Sequence, residues 1–472
     1  MHSTDEGTEG NEVTEGRRRL EGITRKTAKG QTQSWRSLEP NLQRVNMAAR
    51  SSGQTRFTAL LHHVSVASLE RAYKRQRRKA SPGVDGVTVE EYGKNLQENL
   101  QGLNERVHSG QYWPKPVRRT YIPKADGGTR GLGVPTLEDK IVQGAVAEIL
   151  NAIYEADFAG FSYGFRPGRS PHGALESLRR GMMTRRVNWV LDVDIQSFYD
   201  SIDHETILRM VAHRIADPRV LRLIRRWLKA GVLEGGEWMA VDTGTPQGSG
   251  ISPLLANVVL HYVFDVWIDQ WRRKRARGQV IVCRYADDIV IGAEHEEDAR
   301  NLLEALRERL AKFGLTFNEG KTQVIEFGRA GARRRAQAGL SRQRTFNFLG
   351  FTHYWGRTKK GKIVVKRKTQ ATRMTRKLKE LRAELRRRWH EPIGEQYTWL
   401  CQVLRGHYQY YGLIFNGRSL SRFLYVVHRL WFKAMKRRTR KNRLNWQKFN
   451  KLLKVYPLPQ PRIHQSWYGV AD

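Results

Sequence analysis

Residues 280–293, VIVCRYADDIVIGA, place two carboxylates between two β-branched apolar runs, an arrangement that constrains this chain more than any other stretch. Val280, Ile281, Val282 and Cys283 lead in, and Ile289, Val290 and Ile291 lead out to Gly292. Two short runs about five residues apart read as strands joined by a tight turn. Their continuous rather than alternating apolar character predicts a sheet covered on both faces. Asp287 and Asp288 then stand at the turn. Aspartate is a good turn former, so a solvated turn is the plain alternative. A third carboxylate at the end of another buried strand decides between them.

WVLDVDIQSFYDSIDH (189–204) supplies one. Here an apolar strand runs into Asp192, Asp194, Asp200 and Asp203. Asp203 reads as the N-cap of a helix over 203–215, Asp200 as part of the strand-to-helix turn, and Asp192 as a pleat residue. Asp194 is left near the strand end. If this strand lies beside the hairpin, Asp194, Asp287 and Asp288 gather at one sheet edge. Carboxylates so confined raise one another's pKa unless a cation joins them. Hard oxygen ligands suit Mg²⁺, and two such ions about 3.5–4 Å apart stabilise the attacking and leaving oxygens of a phosphoryl displacement.

Charge indicates the substrate class. Lys and Arg number 84 against 46 Asp and Glu, a net charge of +38 that calls for a polyanionic partner, with nucleic acid the leading one. The 13 Trp and 17 Tyr offer stacking surfaces. No stretch approaches the roughly 20 apolar residues needed to span a bilayer. MHSTDEGTEGNEVTEG lacks an apolar signal core. No membrane partner and a cytoplasmic location are therefore expected. Cys283 and Cys401 are the only cysteines, too few for a paired-thiol zinc finger and suited to a reducing compartment.

Residues 1–50 are polar, glycine-rich and charged, which predicts a disordered extension, with Met47 as an alternative start. Apolar spacing predicts amphipathic helices over 137–154 and over 296–314, the second ended by Gly314. FNFLGFTHYWG (346–356) reads as strand. Strands and helices interleaved over about 190–355 predict an α/β or α+β sheet domain. From 357 the composition changes: residues 357–390 hold 15 Lys or Arg against Glu380 and Glu384, and are read as helical. WLCQVLRGHYQYYGLIFN (399–416) and FLYVVHRLWFKAMKRR (423–438) then interleave aromatic and basic residues.

Tyr285-Ala286-Asp287-Asp288 between two strands resembles the YxDD box of reverse transcriptases, and LDVDIQSFYDSIDH (191–204) their first catalytic box. The two stand in the family's order, about 90 residues apart. SPGVDGVT, YIPKADGGTRGLGVPTLEDKIVQ, GFSYGFRPGRSPHGAL, GTPQGSGISPLLANVVLHYVFD, FNEGKTQVIEFG and FNFLGF resemble successive motifs of group II intron-encoded reverse transcriptases. RGHYQYYG (405–412) resembles their maturase or thumb domain. The likeness covers about residues 50–460.

The resemblance implies a right-hand polymerase fold. Fingers and palm would occupy 51–355, with an antiparallel palm sheet carrying the YADD hairpin. A helical, basic thumb/maturase domain would follow at 356–440, and a basic tail at 441–472 with no endonuclease domain. It implies an RNA-directed DNA polymerase that uses two Mg²⁺ ions, with Mn²⁺ as a substitute. Its partners would be group II intron RNA, a DNA primer or target, and dNTPs, with the oligomeric state left open. Asp194, Asp287 and Asp288 would be catalytic, and Ile195 joins them in the metal set. Arg118, Lys124 and Arg130 would close on the triphosphate and Gln247 would meet the nucleotide. Tyr199, or its rival Phe198, would lie under the sugar and select dNTPs. Gly248 and Gly250 would let backbone approach a ligand. Tyr285, Arg166, Lys321, Arg405, His407, Tyr408 and Tyr411 would face primer, template or RNA. One departure is Gly131 after Arg130, where the family often has proline. A splicing-only maturase and a reverse transcriptase recruited to defence or diversity generation are the alternatives.

Overall fold

The computed structural model describes residues 39–123, 128–245, 248–339, 344–438 and 444–464. Contacts divide the chain into two units, Met1–Gly181 with Leu191–Val324, and Met182–Val190 with Ile325–Asp472. The division after Val324 falls earlier than the change in composition at 357.

Among the described residues the first unit opens with helix α1 (Pro40–Ser51). A disordered extension is expected over 1–50; residues 1–38 lie outside the described residues, and from Pro40 the chain is helical with Leu42, Asn46 and Ala49 buried. The Asn46 amide donates to the Ala152 carbonyl at 2.7 Å, so this segment is part of the core rather than a tail. Met47 is exposed on the same helix. At the centre lies α2 (Leu137–Tyr154), N-capped by Thr136, whose hydroxyl accepts from the Asp139 amide. Leu137, Ile141, Val142, Val146, Ile149 and Ile153 are all buried, as are Gln143 and Glu148. This helix is enclosed on nearly every side rather than amphipathic, as a core helix of a large domain is.

Strands β1 (Val117–Pro123) and β2 (Thr129–Val134) pair antiparallel. With β4 (Val232–Glu234) and β5 (Glu237–Met239) they form a sheet in the order β2-β1-β4-β5. The second sheet contains β3 (Trp189–Asp194), β6 (Val280–Tyr285), β7 (Asp288–Ala293) and β8 (Gln323–Glu326), in the order β6-β7-β3-β8.

In the second unit β9 (Phe346–Phe348), β10 (Phe351–Arg357) and β11 (Ile363–Thr369) form a sheet ordered β11-β10-β9. The segment 357–390, expected to be helical, therefore begins with a turn and the strand β11 and is helical only from Ala371. Its alternating burial, with Val365, Arg367 and Thr369 inside, is a period-two pattern that the dense charge obscured. Helices α3 (Ala371–Arg387), α4 (Ile393–Tyr411) and α5 (Gly417–Arg438) follow. They bury Leu381, Leu385, Leu404, Phe423, Val427 and Trp431 in a core of their own. Among the described residues no helix is long and apolar enough to cross a membrane.

Candidate active site

β6 and β7 pair antiparallel from Val280–Ala293 to Tyr285–Asp288, leaving only Ala286 and Asp287 to turn the chain. Ala286 has φ +56°, a left-handed conformation that costs a residue with a Cβ and persists only where its surroundings enforce it. Arg284 provides that enforcement. Its guanidinium is fully buried and donates to the Ala286 carbonyl at 3.1 Å and to Asn257 Oδ1 at 2.9 Å. Two further bonds reach the Asp265 carboxylate, at 2.7 and 2.5 Å. Asp265 closes a π-helical turn, His261–Asp265, that extends the helix Ser252–Leu260 and aims the carboxylate inward. Asn257 in turn donates to the Gly164 carbonyl at 2.7 Å. A Cβ on Gly164 would fall 2.3 Å from the Ala286 amide nitrogen, so only glycine fits against this turn.

β7, which opens with Asp288, neighbours β3, which ends in Asp194. The Asp194 side chain is 44% exposed and its Oδ2 accepts from Lys321 Nζ at 3.2 Å. Its backbone is held on both sides: the amide donates to Thr322 Oγ1 at 3.3 Å and the carbonyl accepts from Asn318 N at 2.8 Å. Ile195 is buried and bridges Phe317. Asp192 shares a face of β3 with Asp194 by the two-residue period. Burial pushes its carboxyl up to about 7; the nearby Asp194 charge adds to this and a hydrogen bond from Gln323 opposes it. In the sequence, strand alternation marks Asp192 only as a pleat residue. Burial, and then the Asp288 charge, also push the Cys283 thiol up, making it an inert core group.

Among the described residues no three carboxylate, imidazole or thiolate groups already close into a metal cage. The donor set fits Mg²⁺ nonetheless. It consists of hard carboxylate oxygens, one of them already facing a lysine ammonium, and Mg²⁺ keeps much of its shell for water and substrate phosphate.

Tyr199 and Phe198 part company. Phe198 is 2% exposed and belongs to the core, so its candidacy at the sugar is withdrawn. Tyr199 is partly buried, edge-on to Phe198, and its carbonyl accepts from the Thr245 amide at 2.7 Å. That bond docks Thr245, near the start of the GTPQGSG segment, against the Tyr199 backbone. Gln247 lies outside the described residues. Gly248, at φ +113°, approaches the Gly133 carbonyl of β2, which a Cβ would meet at 2.6 Å. Its freedom thus serves packing within the protein, while a Cβ on Gly250 would meet nothing closer than Gln143 Oε1 at 3.8 Å. Arg118 is half-buried and donates to the Pro82 carbonyl. Arg130 sits on β2 opposite Ile122, and Lys124 lies outside the described residues.

Three candidates for contact with nucleic acid are enclosed instead. Arg166 is buried, grips Glu155 with two bonds at 2.8 Å and donates to the Ala159 and Ser162 carbonyls at 2.7 Å, which makes it a clasp for the 155–166 loop. In the second unit His407 stacks on Phe423 at 3.7 Å, and Tyr408 is 3% exposed. Both lie on the inward face of α4, where an alternating aromatic pattern reflects helix packing. Arg405 is exposed, and Tyr411 is half-buried against Phe351 and His407. Tyr285 is half-buried beside the exposed Phe165, and Lys321 is held by Asp194.

Comparison with known proteins bears on this arrangement. The family model described as reverse transcriptase (RNA-dependent DNA polymerase) matches residues 122–353. Protein YkfC of Escherichia coli K12 is 32% identical over 325 residues, 62% of this chain and 82% of YkfC. The group II intron-encoded protein LtrA of Lactococcus lactis subsp. cremoris is 41% identical over 179 residues, 38% of this chain and 29% of LtrA. This chain belongs to the group II intron reverse transcriptase/maturase family. As such it is an RNA-directed DNA polymerase. The putative COX1/OXI3 intron 1 protein of Saccharomyces cerevisiae is 29% identical over 308 residues, 55% of this chain and 37% of that protein. The reverse transcriptase thus spans most of YkfC and well under half of the two intron-encoded relatives.

Proposed function

We propose that this reverse transcriptase binds the group II intron RNA encoded with it, assists its splicing, and copies it into DNA during retrohoming, with Asp194, Asp287 and Asp288 as the catalytic carboxylates. The observation that carries the reading is the adjacency of β7, opening at Asp288, and β3, ending at Asp194. A chain gains nothing in stability by placing carboxylates at the termini of two neighbouring strands.

In this reading the right-hand arrangement runs from fingers and palm to a helical thumb, and the β6–β7 turn belongs to the palm. Asp194, Asp287, Asp288 and Ile195 would hold two Mg²⁺ ions, which when bound would supply electrostatic stabilisation of the reacting oxygens. The chain's own residues do the rest. The primer 3′-hydroxyl releases its proton to solvent and bonds to the α-phosphorus of the dNTP as the α–β phosphoanhydride breaks, and pyrophosphate departs toward Lys124 and Arg130, with Arg118 nearby. Tyr199 lies under the sugar and excludes a 2′-hydroxyl, and Gln247 meets the nucleotide. Lys321 exchanges Asp194 for the primer end. Arg405 and the basic second unit hold RNA phosphates, so binding weakens steeply with salt.

Splicing separates the two roles. Intron RNA from around the coding region is incubated at Mg²⁺ too low for the RNA to splice quickly alone. Wild type and Asp287→Ala should both accelerate splicing, because the maturase role uses RNA contacts rather than the carboxylates. No acceleration by a wild type that extends primers contradicts the maturase half of the reading.

A further inference from the structure

A groove of about 500 Å³ runs along the second unit between the C-terminal halves of α3 and α5. Its volume lies within the range of small-ligand clefts, roughly 300–1,000 Å³. The floor is apolar, with Leu385 and Ala434 buried in the helical core. One wall carries Arg382 and Arg386, and the other Lys433 and Arg437; each pair is spaced four apart on one helix face. At one end stands Trp389, 47% exposed although it is among the largest apolar side chains in the protein.

Two features distinguish this groove from an ordinary basic surface. Arg387 and Arg388, next along the chain, are committed to Glu384. Arg382, Arg386, Lys433 and Arg437 form no ion pair with a carboxylate among the described residues, so four cations converge uncompensated. Nor is this only complement to the helix dipoles, which act within the last turn. Arg386 and Arg437 lie in those last turns, but Arg382 and Lys433 lie before them.

We infer that the groove takes one unpaired nucleotide of single-stranded RNA, its base against Trp389 and its flanking phosphates between the two cationic walls. This rests on the reading above that RNA is the partner. A cationic slot with an aromatic face is how single strands are held without sequence preference. A duplex hides its base faces and has no use for the tryptophan.

The test uses the full-length protein, with Trp389→Ala and the double variant Arg386→Gln/Arg437→Gln. Affinity is measured by fluorescence anisotropy for an unstructured fluorescein-labelled 12-nucleotide RNA and for a 12-base-pair RNA duplex. Trp389→Ala should weaken the single strand on the order of tenfold, as the loss of one stacked base does, and leave the duplex within about twofold. The double variant should lower the salt slope for the single strand by about 0.7 per cation removed. A 4-thiouridine crosslink should map to the peptide containing Trp389. Unchanged affinity, or equal loss on strand and duplex, overturns the inference. Primer extension on the same preparations separates the two readings. Wild-type extension with unaltered RNA binding by Trp389→Ala removes the groove alone, whereas a wild type that neither binds RNA nor extends removes the underlying reading as well.

Discussion

The Arg284 guanidinium and the Asp265 carboxylate form a two-point ion pair with both side chains fully buried, 19 residues apart in sequence. A third bond from Arg284 supports the Ala286 carbonyl, inside the turn that carries Asp287. The pair therefore links a π-helical turn in the core to the position of the candidate catalytic carboxylates. Removing one partner of a buried pair leaves an uncompensated charge, so Arg284→Met should cost about 3–5 kcal/mol in denaturant unfolding. Adding Asp265→Leu should recover most of that stability, since an apolar replacement of both partners is close to neutral. Primer extension should stay low in the double variant, because the Ala286 carbonyl still lacks its donor. Recovery of full extension would mean that the pair acts on stability alone.

Gly164 tests the same turn from its other side. A Cβ there would lie 2.3 Å from the Ala286 amide nitrogen and 3.0 Å from the Tyr285 carbonyl carbon, both backbone atoms that cannot swing aside. Gly164→Ala should therefore lower the extension rate by at least tenfold, about 1.4 kcal/mol of activation free energy. RNA affinity should be unchanged, as measured by filter binding.

Tyr199 should set the choice of sugar. Tyr199→Ala removes the ring and should raise incorporation of ribonucleotides relative to deoxyribonucleotides by on the order of 10–100-fold, read as the ratio of the two kcat/KM values. Phe198→Ala should destabilise the fold by about 3–5 kcal/mol, since Phe198 is a core residue, and leave that ratio alone.

Acid sensitivity should come in part from the second unit. His353 on β10 is fully buried opposite Arg367, and burial first, then the Arg367 charge, pull its pKa down to about 3. His407 is held down to about 4 in the same way, by burial and then by Lys377. A depressed histidine pKa means that only the unfolded chain takes up the proton as the pH falls below about 6.5. Stability is thus complete above that pH and declines toward the folded values. His353 alone should cost ~2–3 kcal/mol at pH 4.5. His353→Phe should flatten the unfolding free energy between pH 6.5 and 4.5 relative to wild type, by thermal or urea denaturation.

Much of this was visible in side-chain pattern. The β-branched runs beside Tyr285–Asp288 are β6 and β7, the apolar run before Asp194 is β3, and Asp203 caps the helix His204–Ala212 by accepting from Thr206 N at 2.8 Å. Glu296–Ala311 is helical, and Gly314, at φ +69°, takes the left-handed position after it. What escaped is what tertiary contacts decide. Arg284 interrupts an apolar strand, a signal in itself, but its partners Asp265 and Asn257 are brought to it only by the fold. The charge of 357–390 hid the alternation of β11, and the aromatic run in 405–412 concealed that His407 and Tyr408 face the core. Residues 40–51 show the converse error, a polar segment held in order by buried Leu42 and Ala49 and by the Asn46 amide.

The most direct measurement is single-turnover primer extension on an RNA template with dNTPs and Mg²⁺, comparing wild type with Asp287→Ala, with RNA affinity measured on both. Wild type should extend the primer, and Asp287→Ala should lose at least about 10³-fold, near 4 kcal/mol, at unchanged RNA affinity. Extension by the variant at the wild-type rate would contradict the assignment of Asp287 and, with it, the catalytic role of the β6–β7 turn.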